Sequence, residues 1–297
     1  CETLLKDSCQ VVCVDNLSLG RKQNIQHMFD NKYFTFYEVD ASKEKELEQI
    51  FKIERPDYVF QLAANSDIQT SAKNPQIEYI NTYTTTFEVL SCMKKYDIKN
   101  LFFASTSAVY GDKENVILDE YTSNLSPISY YGAAKLGCEA LINAFSYMNN
   151  MKALVFRFPN VIGPRLTHGV IYDFIKKLNE DSSRLQILGD GKQIKPYIYV
   201  EDLIDAIMQF KYVEKPGVML YNVGAEGETS VDDIAKIVCE EMKLEGVHFC
   251  YTGGRCGWNG DVPRFRYSLK KIHDAGWKAK YTSNDAVRMT VRDNIRR

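Results

Sequence analysis

The chain has no Cys-x-x-Cys pair, although it carries 8 cysteines, at positions 1, 9, 13, 92, 138, 239, 250 and 256. Zinc needs clustered ligands, so no metal site is expected. Several of these cysteines lie in apolar runs, as Cys13 does in VVCVD, which fits buried, reduced thiols. The chain opens on no signal peptide and contains no apolar run long enough to span a bilayer, so a cytoplasmic protein with no membrane partner is expected. Charge of one sign is also missing. Lys and Arg number 37 against 39 Asp and Glu, a formal net charge of -2, so no field favours nucleic acid or an anionic surface. The densest basic stretch, Arg288 to Arg297, reads as a solvated C-terminal helix. Internal repeats and low-complexity linkers are absent as well.

What is present is an ordinary globular composition, 45% hydrophobic and 26% charged over 297 residues, long enough for one large domain and a smaller lobe. Five short runs rich in β-branched and aromatic residues recur in the first 160 residues: Gln10–Val14, Tyr33–Val39, Tyr58–Leu62, Leu101–Ala104 and Ala153–Phe158. Segments with helical spacing lie between them, such as Ile77, Ile80, Thr84, Phe87 and Leu90. Nearly continuous apolar strands alternating with helices predict a parallel sheet covered on both faces, a doubly wound α/β domain. The expected division is 1–160 for that domain and 161–297 for a smaller α/β lobe, with 192–212 returning to the first.

Each run ends on a residue of another character: Asp15, Asp40, Ala63-Ala64-Asn65, Ser105-Thr106 and Asn160. Ligands of open α/β sheets lie beyond the carboxyl ends of the strands, so these ends are expected to converge on one crevice. An acidic residue closing the second strand of a dinucleotide fold bonds the adenosine ribose diol. Asp15 suits that role and would repel a 2′-phosphate, which favours NAD over NADP, although Arg21 softens the preference. A glycine-rich G-x-G-x-x-G loop should come before such a strand. Only Cys1–Lys6 precede it here, reading as the last turns of a helix. The expectation is that roughly 15–20 residues, a first strand and its loop, lie outside this sequence.

Tyr131 and Lys135 fall four apart on a segment whose apolar spacing (Ala134, Cys138, Leu141, Ile142, Phe145) predicts a helix, so both lie on one face. A free tyrosine titrates near pH ~10. A neighbouring ammonium and an oxidised nicotinamide favour the phenolate, and reaching neutrality takes roughly three pH units, about 4 kcal/mol. Such a phenolate can remove a proton from a sugar hydroxyl. Thr106, closing the fourth strand, could hold the same oxygen. Tyr130 competes for the base role, but the spacing to Lys135 selects Tyr131.

Five ordered strings carry a family resemblance: Gln61 to Asn65, Ala104 to Gly111, Tyr131 to Lys135, Arg157 to Arg165 and Leu188 to Gln193. The chain resembles the extended short-chain dehydrogenases acting on nucleotide sugars, the NAD-dependent epimerase/dehydratase family, and within it the UDP-glucose 4-epimerase subgroup. The resemblance runs from Cys1 to about Asn294 and implies a Rossmann fold, NAD as cofactor and a nucleotide-diphosphate sugar as substrate. It implies Thr106, Tyr131 and Lys135 as the catalytic triad, Asp15 and Asn16 on the adenosine ribose, and Asp40 and Ala41 on adenine. Leu62, Ala63 and Ala64 would line the ribose and pyrophosphate, and Phe158 and Pro159 would pack on the nicotinamide. Asn160 would hold the sugar diphosphate, Val170 would open the helix that encloses the nucleotide base, and Phe265 would gate the sugar 2-position. Lys195 replaces the usual diphosphate arginine and loses its bidentate fork; Trp258 stands where another arginine is usual, with Arg255 the nearest substitute. A homodimer through helices spanning Gln76–Lys95 and Ser129–Tyr147 is implied too.

The resemblance also orders the possible reactions. Dehydratases of the family place Asp-Glu directly after the catalytic threonine, and decarboxylases carry a glutamate in that string; here Ser107-Ala108 stands there. The expected reaction is therefore epimerisation through a 4-keto intermediate with hydride return, UDP-glucose/UDP-galactose being the first choice. Other nucleotide sugars, epimerisation at C2, a dehydratase, a net dehydrogenase and a non-catalytic NAD-binding scaffold remain the alternatives.

Overall fold

A computed structural model describes residues 1–113, 116–254, 262 and 264–295 of the chain. Its strands in chain order are β1 (Val11–Val14), β2 (Phe34–Tyr37), β3 (Tyr58–Gln61), β4 (Asn100–Thr106), β5 (Ile117–Leu118), β6 (Lys152–Phe158) and β7 (Asn160–Ile162). They continue with β8 (Arg184–Ile187), β9 (Ile194–Lys195), β10 (Tyr197–Tyr199), β11 (Gly217–Asn222), β12 (Thr229–Ser230), β13 (His248–Tyr251) and β14 (Arg266–Tyr267). All five apolar runs are strands. The second is shorter than expected, closing at Tyr37, so Asp40 sits three residues past the strand end. A strand that spacing did not predict, β7, begins at Asn160 and pairs in parallel with β10.

The chain groups into two compact units, residues 1–105, 130–155 and 210–220 in the first, and 106–129, 156–209 and 221–297 in the second. Three strands, β4, β6 and β11, run on from the first into the second. In the first unit β1 and β2 form a parallel pair, and β3 pairs in parallel with β4 at the edge of the sheet β11-β6-β4-β3. Leu101, Phe102 and Phe103 of β4 are at most 1% exposed, as expected for a strand covered on both faces.

Helices supply the cover with one apolar stripe each. Leu47, Ile50 and Phe51 face inward from the Glu44–Glu54 helix, Val89, Leu90 and Met93 from Thr85–Lys95, and Cys138 and Ile142 from Tyr130–Asn149. The expected helix across Gln76–Lys95 is interrupted. A short turn Gln76–Glu78 is followed by a π-helical segment, Tyr79–Thr84, before the regular helix resumes. Four threonines in 82–86 explain part of this, since β-branched hydroxyl residues are weak helix formers: Thr85 and Thr86 turn their hydroxyls back onto the carbonyls of Ile80 and Thr82.

The second unit has its own core, built from the helices Val170–Glu180, Val231–Glu241 and Ser283–Ile295 around Phe174, Leu178, Leu185, Ile187, Ile234, Val238 and Val287. The basic C-terminal stretch belongs to this core rather than to solvent alone. Ala286, Val287, Thr290 and Val291 of its helix are buried, while Arg288 and Arg292 pair with Glu240 and Glu241. Among the described residues no helix is long and apolar enough to cross a membrane.

Candidate active site

The Tyr130–Asn149 helix presents Tyr131 half-buried and Lys135 buried, 3% exposed. The Lys135 Nζ donates to the carbonyl of Ala104 at 2.8 Å. It sits 4.7 Å from the centre of the Phe103 ring and 5.9 Å from that of Tyr131, distances at which a ring face attracts a cation. Burial pushes the Lys135 ammonium down to about 8; Cys138, Glu78 and Glu139 oppose that with their charge. The pair that the spacing singled out is thus one aromatic and one ammonium side by side, with the lysine anchored to the last turn of a sheet strand.

Glu139 was not singled out in the sequence, although it stands at i+4 from Lys135, the same spacing that selected the lysine. It accepts a short hydrogen bond from the Ser105 hydroxyl, next to the Ala104 carbonyl that holds Lys135. Thr106, which closes β4 and opens the second unit, is buried, and its hydroxyl accepts the N–H of Ala108 at 3.2 Å. This caps the short turn Ser107–Tyr110. Gly111 ends that turn at φ +76, where an added Cβ would sit 1.8 Å from the Ser126 carbonyl, so only glycine fits.

Strand ends in the first unit carry the residues expected on a dinucleotide. Asp15 follows β1 half-buried, its carboxylate accepting the Leu17 N–H at 2.7 Å; Asn16 beside it is exposed and accepts the Ser18 N–H at 3.0 Å. Asp40 accepts the Ser42 N–H at 2.9 Å, and Ala41 packs against the core. After β3, Leu62 is 60% exposed and Ala63 is exposed, while Ala64 is half-buried. An exposed Leu62 at one strand end, with Asp15 directly after β1 and Asp40 three residues past β2, is an arrangement that accommodates an adenosine.

In the second unit Phe158 is half-buried, Pro159 buried and Asn160 exposed at the start of β7. Val170 is the first residue of its helix, capped by Gly169. Lys195 on β9 lies opposite Thr229 of β12, and Ile194 bridges Arg264. Phe265 packs on Tyr267 at 5.2 Å. Arg255 lies outside the described residues.

A buried polar network missed in the sequence joins this region. Tyr110, fully buried, donates to Asn222 Oδ1 at 2.7 Å, and Asn222 Nδ2 donates to the Leu118 carbonyl at 3.0 Å. The Arg157 guanidinium lies 4.8 Å from the Tyr110 ring. No spacing rule marks Asn222, because Tyr110 and Leu118, the closest partners of its side chain, are more than 100 residues away in the chain.

A doubly wound α/β chain with an ammonium-backed tyrosine and acidic strand ends defines a class of NAD-using enzymes that act on hydroxyl carbons. The sequence matches the model of the NAD dependent epimerase/dehydratase family over residues 1–224, and the chain belongs to that family. It is 29% identical to a putative UDP-glucose 4-epimerase of Methanocaldococcus jannaschii, covering 98% of this chain and 92% of the relative. It is 30% identical to a probable UDP-arabinose 4-epimerase of Arabidopsis thaliana, covering 94% and 73%. The fold superposes on a UDP-glucose 4-epimerase of Thermotoga maritima, solved with UDP-glucose, with a TM-score of 0.88 at 28% identity, covering 99% and 94%. The protein is therefore an enzyme of the nucleotide-sugar epimerase kind, and its cofactor is NAD.

Proposed function

We propose that the protein is a UDP-hexose 4-epimerase, with UDP-glucose and UDP-galactose as its substrate pair and Thr106, Tyr131 and Lys135 as its catalytic residues. The observation that carries this reading is the buried Lys135 ammonium held 2.8 Å from the Ala104 carbonyl beside the Tyr131 ring. A cation fixed there favours the Tyr131 phenolate, which takes the proton of the sugar 4-hydroxyl and later returns it. The Thr106 hydroxyl holds the same oxygen. NAD, when bound, supplies the acceptor that takes hydride from C4 and gives it back. Asp15 and Asn16 would hold the ribose of NAD, Asp40 and Ala41 its adenine, Leu62, Ala63 and Ala64 the ribose and pyrophosphate, and Phe158 and Pro159 the nicotinamide.

Asn160, Lys195 and Arg255 would bind the diphosphate, Val170 would open the helix that encloses the nucleotide base, and Phe265 would limit the sugar at C2. Ser107 and Ala108 carry no acid next to Thr106, so no side chain at that position drives elimination. The reading favours return of the hydride to the other face of a 4-keto sugar that has turned in the site. Relatives named for UDP-arabinose and UDP-glucuronate define the competing substrates. An NMR time course of UDP-glucose with the protein and catalytic NAD tests this. Galactose anomeric signals without accumulating NADH are expected, and an inert UDP-glucose beside a converted pentose or uronate would reassign the sugar.

A homodimer through the segments Gln76–Lys95 and Ser129–Tyr147 belongs to the same reading. Exposed Tyr79, Phe87, Tyr130 and Tyr147 on these segments support it. Sedimentation at micromolar concentration should give twice the chain mass, and a monomer there would remove this part.

A further inference from the structure

Glu78 takes no part in the chemistry described above, yet it is 2% exposed. Both of its oxygens accept. Oε1 takes Asn65 Nδ2–H at 2.7 Å, and Oε2 takes the Thr82 hydroxyl at 2.7 Å. The Thr82 oxygen in turn accepts the Asn65 backbone N–H at 3.2 Å, so its own proton points to Glu78. Two accepting oxygens mark a carboxylate, since an acid would need a partner for its proton. A buried carboxylate requires a compensating cation. Among the described residues of the first unit, Glu78 and Lys135 are the charged side chains that are buried.

The two are packed together by their neighbours. The Cys138 thiol lies 3.6 Å from the Thr82 carbonyl, and the Tyr83 ring sits 3.0 Å from where a Cβ on Gly137 would be. Glu78 and Ala134, the residue before Lys135, line one surface cavity of about 360 Å³. Lys135 touches the Tyr131 and Phe103 rings and the Ala104 carbonyl, and the ionisable groups whose charge reaches it are Cys138 and Glu139 from its own helix and Glu78 from the Gln76–Glu78 turn. Of these, Glu78 is the negative charge that comes from another element.

We propose that Glu78 is a positioning residue for the catalytic pair. Its carboxylate keeps Lys135 in the ammonium form beside Tyr131, and its bond to Asn65 fixes the residue that follows the Leu62-Ala63-Ala64 lining. The proposal rests on the reading of Tyr131 and Lys135 as that pair.

Glu78→Gln keeps the shape and removes the charge, and the expected signs follow. Without the carboxylate the ammonium loses attraction, so the Lys135 midpoint falls. The Tyr131 phenolate loses repulsion, so its midpoint falls too. Carbon NMR of protein labelled at lysine Cε should show the Lys135 midpoint about one pH unit lower, and the whole pH–rate profile should move to lower pH. Glu78→Asp, which keeps the charge but withdraws it by one methylene, should fall between. A folded Glu78→Gln protein with an unchanged Lys135 titration overturns the proposal. If that variant does not fold, Glu78→Asp with a wild-type titration overturns it equally. Failure of the catalytic reading shows separately, as a Tyr131→Phe protein that still turns over.

Discussion

The two units bury their polar groups in different ways. The first places a carboxylate and an ammonium, Glu78 and Lys135, in its interior. The second buries the network Tyr110–Asn222–Leu118, with the Arg157 guanidinium against the Tyr110 ring and the Glu120 carboxylate accepting the Asn222 N–H at 2.7 Å. A shell of titratable groups can tune a proton transfer, whereas a shell of amides and hydroxyls can only hold shape. The proton transfer proposed for Tyr131 and Lys135 lies in the first unit, while the Tyr110–Asn222 bond of the second joins a hydroxyl to an amide that does not titrate.

The largest test of this contrast is at the tyrosine. Replacing Tyr131 by Phe should lower kcat by about 10²–10⁴ while leaving NAD bound, read by turnover and cofactor fluorescence. Next comes the pH dependence of stability. Lys135 titrates near 8 in the folded chain against 10.5 ordinarily. Below pH 8 both states are protonated and the fold carries the full penalty of the buried charge, about 3 kcal/mol. Between 8 and 10.5 the unfolded chain binds more protons than the folded one, so stability from this group rises with pH. Denaturant titrations across that window should show the rise in the wild type and lose it in Lys135→Met.

A smaller effect is expected in the second unit. Asn222→Ala leaves the Tyr110 hydroxyl and the Leu118 carbonyl without their amide partner, which should cost about 1–3 kcal/mol at any pH from 6 to 10. A strong pH dependence in that variant would break the comparison. Smallest of all, Arg288→Ala removes an exposed pair to Glu240 and a half-buried one to Glu241, together worth about 1 kcal/mol and less at high salt.

The placement of several candidate site residues was legible because they sit at strand ends or at helical spacing. Asp15 closes β1 and Thr106 closes β4, as the apolar runs predicted, and Tyr131 and Lys135 share one face as i and i+4 residues must. Five strands were readable from continuous apolar runs. Strand β7 was not, because its three residues follow Pro159 with no apolar run of their own. Glu78 and Asn222 were hidden for another reason. A polar residue in a sequence reads as solvated unless its partners are known: Thr82 stands at i+4 from Glu78, but Asn65 comes from the loop 13 residues before it, and Tyr110 lies 112 residues from Asn222. The π-helical segment at Tyr79–Thr84 kept the helical apolar spacing on which the expectation of an unbroken helix rested, so no break was visible there.

The central claim is that a Lys135-backed Tyr131 moves the proton in a reversible oxidation at sugar C4. One NMR series tests it most directly: UDP-glucose with catalytic NAD, followed for the wild type and for Tyr131→Phe. The account predicts galactose signals with the wild type, no NADH build-up, and no conversion with the variant. Equal conversion by both proteins would contradict it.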